Sequence, residues 1–235
     1  MLPRTAAFAT SMLVFAACIA EHDAAKRPND EAKIVARVCR DLVDAKPHQF
    51  AERMRAVLEL GQGVAATLAI ELDATPDAEG VDAALATLGR LGGADATRTL
   101  QRFLADRGPH ASAAALALGE CPAEGVLQQL RETVEDRLAD PTTRTAAAAS
   151  WIRLGAGNEV RTFVRGVMLA GTPHGQQLEP QLGLPRRPRW AYERYLLQQA
   201  LLAAAGQDFG MDTDAPWDEL LAAADRIDAW LKERP

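Results

Sequence analysis

The sequence predicts an all-α protein, built as an α-α superhelix of stacked antiparallel helix pairs. Two observations carry this. The dipeptide Leu-Gly closes four successive Ala/Leu-rich segments, at Leu60-Gly61, Leu91-Gly92, Leu118-Gly119 and Leu154-Gly155. Each is followed within a few residues by a second apolar run at helical spacing, so a helix–turn–helix unit is written four times. The glycines fall about 27 to 36 residues apart, the period range of helical repeat arrays. Composition points the same way. Hydrophobic residues make up 48% of the 235-residue chain but aromatics only 5%, so alanine and leucine supply the core. Alanine is the strongest helix former, and its small side chain lets helices approach closely.

The first residues read as a targeting segment. Arg4 supplies a positive start, and Ala6 to Ala17 is uncharged and apolar. That run is shorter than the roughly 20 residues a bilayer-spanning helix needs, and it fits the apolar region of a signal peptide. It leads into Phe15-Ala16-Ala17-Cys18, which resembles the lipobox of bacterial lipoproteins, with Phe15 where Leu is usual. The resemblance implies a signal peptide over residues 1–17 and lipidation of Cys18. It also implies export to the bacterial cell envelope on a membrane anchor. The alternative is an ordinary secretory signal cut near Ala20, which would leave a soluble exported protein. Residues 18–30 are polar and contain Pro28, as expected of an extended tether.

The remaining elements follow in order over residues 31–235. A first helix is expected over 31–45, with Ile34, Val35, Val38, Leu42 and Val43 on one side and Asp30 as its cap. The four pairs are predicted at 48–60 with 63–72, 77–91 with 94–105, 109–118 with 123–138, and 141–154 with 159–169. Gly92-Gly93 suits the positive φ of a helix C-terminus. Pro109 and Pro141 suit first turns, with Asp140 as a cap. The period breaks at 171–189, where Pro173, Pro180, Pro185 and Pro188 exclude a long helix. Insertions of this kind map to loops that often lie on a binding face. A last pair, 190–205 with 216–232, closes the array.

Residues 81–104, 111–130 and 145–168 resemble HEAT-type repeats: a short Ala/Leu-rich helix ending in Leu-Gly, a tight turn, then a second helix. The segment Gly206–Asp212 is similar to a connection in exported bacterial HEAT proteins, with Met211 where Tyr is usual. The resemblance implies a scaffold that binds protein partners. Some HEAT-like proteins are chromophore lyases, so it also leaves an enzyme as an alternative. A self-assembling structural subunit is the third reading.

Few residues suggest chemistry. The net charge of −6 argues against nucleic acid as a partner. His22, His48, His110 and His174 lack zinc-ligand spacing, and Asp208, Asp212 and Asp214 lack that of a calcium loop, so no metal or cofactor is expected. No phosphate loop or nucleophile motif occurs, and no catalytic residue is assigned. Glu132, Glu135 and Asp136 are expected on a solvated helix face with Arg131 and Arg137. Assigning Cys18 to lipid leaves Cys39 and Cys121, as two buried thiols or one disulfide. The basic–aromatic cluster Arg186, Arg187, Arg189, Trp190 and Tyr192 is the best candidate contact site, for an acidic partner or anionic lipid. The plainer reading of that cluster is a solvated loop leading into a helix anchored by Trp190.

Overall fold

The computed structural model describes residues 30–187, 190–212 and 215–234. The signal segment, Cys18, His22, Arg189 and Asp214 lie outside the described residues. Helix α1 spans residues 30–43 and buries Cys39, Leu42 and Val43 completely. The helices that follow are α2 (Phe50–Glu59), α3 (Ala65–Ala74), α4 (Val81–Leu91), α5 (Gly93–Ala105), α6 (Ala111–Leu118) and α7 (Val126–Glu135). Then come α8 (Pro141–Arg153), α9 (Arg161–Leu169), the short α10 (Leu178–Leu182), α11 (Ala191–Ala205) and α12 (Trp217–Lys232). Among the described residues there is no strand. The chain is all-α.

The pairs stack into two layers, as in an α-α superhelix. Helices α2, α4, α6, α8 and α11 pack side by side in one layer. Helices α3, α5 and α7 follow one another behind it, and α12 packs on α9. The first layer is held close by small residues. A Cβ on Gly89 would come 2.7 Å from the carbonyl oxygen of Ala117, so α4 meets α6 almost backbone to backbone. Helix α8 is buried on every side from Thr143 to Ile152. Its run Ala146–Ala149 presents only methyl groups, which lets α6 and α11 close in from either flank. Helix α5 instead keeps a polar face, with Arg98, Gln101 and Arg102 outside the set it buries.

Three of the four Leu-Gly glycines have positive φ: Gly61 at 81°, Gly92 at 67° and Gly155 at 107°. Gly119 does not. It sits at −65°, and its missing side chain makes room for Ser150 of α8. Asp140 caps α8 as expected, accepting from the amides of Thr142 at 2.9 Å and Thr143 at 3.2 Å. Several bounds differ from the sequence reading by two or three residues, α7 running Val126–Glu135 and not 123–138, and two of the starts show why. Helix α4 begins at Val81, not Asp77, because Gly80 lies against the end of α1. Its amide donates to the Val43 carbonyl at 3.0 Å, and a Cβ there would run into the carbonyls of Leu42 and Val43. Helix α6 begins at Ala111, not Pro109, after a turn at Arg107 with φ of 52°.

Cys39 and Cys121 are both buried and free. The Cys121 thiol donates to the Gly89 carbonyl at 3.3 Å. Burial raises the pKa of both thiols, that of Cys39 to about 11.

The insertion after α9 is packed against the array. Arg144 of α8, itself buried, donates from Nε to the Val134 carbonyl at 2.9 Å and from Nη1 to the Leu182 carbonyl at 2.8 Å. Arg137 donates to the Gln181 carbonyl at 2.7 Å. Gly166 of α9 leaves space that the Leu182 side chain fills. Glu179 accepts the Gly171 amide at 2.7 Å. Buried Arg194 of α11 donates to the carbonyls of Met168 and Ala170, which end α9. These arginines satisfy carbonyl groups that helix termini leave bare.

Candidate functional site

A groove of about 330 Å³ runs over the outer face of α6. Its floor is the half-buried Ser112, Ala113 and Leu116 of α6, with the buried Ala117 at its edge. Asp82, Ala86 and Arg90 form one wall, four residues apart along α4 and so on one helix face. The other wall is Tyr192 of α11. Arg153, at the end of α8, and Glu120, after α6, close one end. Helix α8 contributes nothing else because it is recessed, which is how Tyr192 reaches a cavity walled by α4.

The charges are unevenly paired. His110 Nδ1 lies 2.7 Å from Asp82 Oδ1. Arg153 is paired with Glu120. Arg90 is exposed and has no ion-pair partner among the described residues. The pKa of Tyr192 is raised, first by desolvation of the phenol and then by the carboxylates of Asp82 and Glu193. The groove is thus a strip of small side chains with the Arg90 guanidinium, unpaired among the described residues, at one end and the His110–Asp82 pair, with Tyr192, at the other.

No protein-family model, curated protein or solved structure matches this chain.

The structure splits the basic–aromatic cluster. Tyr192 is 55% exposed and faces the groove, and Arg186 is exposed within the insertion, where it lines a separate cavity of about 280 Å³. Arg187 and Trp190 turn inward. Trp190 is only 1% exposed, and the Arg187 guanidinium stacks over its ring at 4.0 Å. Arg187 also pairs with Glu193 at 2.5 Å, a buried carboxylate that accepts the Thr142 hydroxyl at 2.6 Å. That pair ties the residues before α11 to the start of α8.

The other polar residues have local work. Arg131 pairs with Glu135, Arg107 with Asp136, and Gln128 with Glu132. Asp208 accepts the Gly210 amide at 2.9 Å, and the His174 ring lies 5.1 Å from Trp217. Among the described residues no group of three or more His, Cys, Asp or Glu could hold a metal ion. Two further cavities lie at the layer edges, between successive turns. One, of about 670 Å³, is lined mostly by the residues 89–94 and 120–124; the other, of about 320 Å³, is walled by the Arg107–Asp136 pair.

Sequence reasoning missed Asp82, Arg90, Ala113 and Leu116. One signal was available. The segment Ala111–Leu118 carries no charge on any face, although α6 has an outer side. A helix without charge reads as a buried one, and α6 is mostly buried; only the half-buried Ser112, Ala113 and Leu116 remain to line the groove.

Proposed function

We propose that this chain is a lipid-anchored, exported α-solenoid of the HEAT type, and that it serves as a non-catalytic protein-binding scaffold in the bacterial cell envelope. The groove over α6 is its contact surface. The observation that supports this most directly is the uncharged outer face of α6, walled by Asp82, Arg90 and Tyr192 from neighbouring helices. A stack of helix pairs offers an extended surface suited to holding a partner segment. A cavity of a few hundred Å³ is the usual size of a binding site, and this one joins the small side chains of α6 to polar groups from α4, α8 and α11. The anchor is Cys18, and the polar segment that follows it links the array to the membrane.

Two measurements test the reading. A photo-crosslinking residue in place of Ser112, used in envelope fractions, should capture a discrete partner. Ala113→Trp, which fills the groove, should abolish that product while leaving the melting temperature near the parent's. A product that survives Ala113→Trp would place the contact elsewhere. Mass spectrometry of the native N-terminus should find an acylated Cys18; a terminus at Glu21 would replace the anchored protein with a soluble one.

A further inference from the structure

Resting on that reading of the groove, we infer that its occupant is an extended, acidic, small-aliphatic peptide segment, with its carboxylate at the Arg90 end. At that end stand two guanidinium groups, Arg90 and Arg153, against one carboxylate, Glu120. Arg153 and Glu120 already engage one another. Arg90 is exposed, with no ion-pair partner among the described residues, and is left for an incoming anion. A guanidinium fork matches a carboxylate with two parallel hydrogen bonds. At the opposite end the carboxylate of Asp82 is held by His110 and lies close enough to Tyr192 to raise its pKa. An acid placed there meets another acid, so the charge asymmetry sets the direction in which a segment lies.

The floor sets the side chains. Ala113, Ala117 and Ala86 offer methyl groups, and Leu116 is the one larger apolar side chain. Ala, Val or Leu side chains fit against such a strip, whereas a bulky ring would stand off it. The length follows from helix geometry. Asp82 and Arg90 are eight residues apart on α4, about 12 Å along its axis. An extended chain covers that distance in roughly four residues. The half-exposed ring of Tyr192 gives such a chain a flat apolar wall to lie along.

The test uses the purified array and three matched sets of fluorescein-labelled hexapeptides composed of Ala, Val and Leu. One set carries a single Glu, the second Gln in its place, the third Lys. Fluorescence anisotropy should show the Glu set binding roughly tenfold or more tighter than the Gln set, the contribution of one charge-assisted pair. The Lys set should bind weakest. Arg90→Gln lies on an exposed position and should erase the difference between the Glu and Gln sets. Equal binding of those sets to the parent protein, or a preference that survives Arg90→Gln, would overturn the inference. If no set binds while Ala113→Trp still blocks the cross-linked envelope product, this partner chemistry is wrong and the groove reading stands. If peptides bind by charge but Ala113→Trp leaves their affinity unchanged, the acidic site lies outside the groove and both fail.

Discussion

Gly119 and Ser150 touch across the interface of α6 and α8. A Cβ on Gly119 would stand 2.7 Å from Ser150 Oγ, and that hydroxyl donates to the Ala115 carbonyl at 2.7 Å. The contact brings the end of α6 against α8 with no side chain on Gly119 to hold the two apart. Gly119→Ala must push the two helices apart, an overpacking that costs about 1–3 kcal/mol. Chemical denaturation should show this loss in full. An unchanged midpoint would mean that α6 and α8 are not in close contact at this point.

Arg144 is a buried cation without a carboxylate partner among the described residues, and desolvation lowers its pKa. Its hydrogen bonds to Val134, Leu182 and Gly183, and its position 4.8 Å over the Phe163 ring, offset that cost. Arg144→Met keeps the length but leaves those carbonyls bare. Each unsatisfied buried group costs about 1–3 kcal/mol, partly offset by removing a buried charge. The expected net loss is about 2 kcal/mol, with faster amide exchange across residues 178–184. Arg144→Lys should not rescue it, because an ammonium cannot reach carbonyls on both sides at once.

What was legible in the sequence was local. The Leu-Gly marks give the pairs because helix spacing and positive-φ turns are written within a dozen residues. Asp140-Pro141 could be read as a helix start because a cap needs only its own first turn. The start of α4 was not legible, since it depends on Gly80 meeting carbonyls of α1. The seat of the insertion depends on Arg144 and Gly166, and the groove on Tyr192 lying opposite Asp82. Nothing local marks such encounters. Within the basic–aromatic cluster, residue type suggested a contact site, but type alone does not reveal that Arg187 and Trp190 face inward.

The Cys39 thiol yields a pH dependence of stability. Its pKa is raised from 9.0 to about 11 by burial, with the charge of Glu71 adding. The folded state therefore holds its proton between those values while the unfolded chain releases it. The contribution is fully present below pH 9 and is lost as pH rises towards 11. Between pH 8 and pH 10.5 the loss is about 2 kcal/mol by the usual conversion. Urea unfolding at the two pH values should show a fall of at least that size, and Cys39→Ala should reduce it by that amount, with Cys121 and Tyr192, both also raised by burial, supplying the remainder. An equal fall in the variant would assign the effect to other groups.

The four described residues of the basic–aromatic cluster should separate by experiment as they do in space. Glu193 is 3% exposed, and Arg187 is its cationic partner. Removing one member of a buried ion pair strands the other, at about 3–5 kcal/mol where the pair is fully enclosed. Arg187 is partly open to solvent, so a loss of about 2 kcal/mol is expected for Arg187→Ala, since water screens part of the stranded charge. Trp190→Ala empties a large buried volume and should cost about 3–5 kcal/mol. Arg186→Ala and Tyr192→Ala remove exposed side chains and should leave the melting temperature within a degree or two of the parent, about 0.5 kcal/mol at most. Only Tyr192→Ala of these two should also weaken capture at the groove, because Arg186 belongs to the insertion and lines a different cavity. A stable Arg187→Ala protein, or a destabilised Tyr192→Ala protein, would reverse the division into an inward anchor and an outward wall.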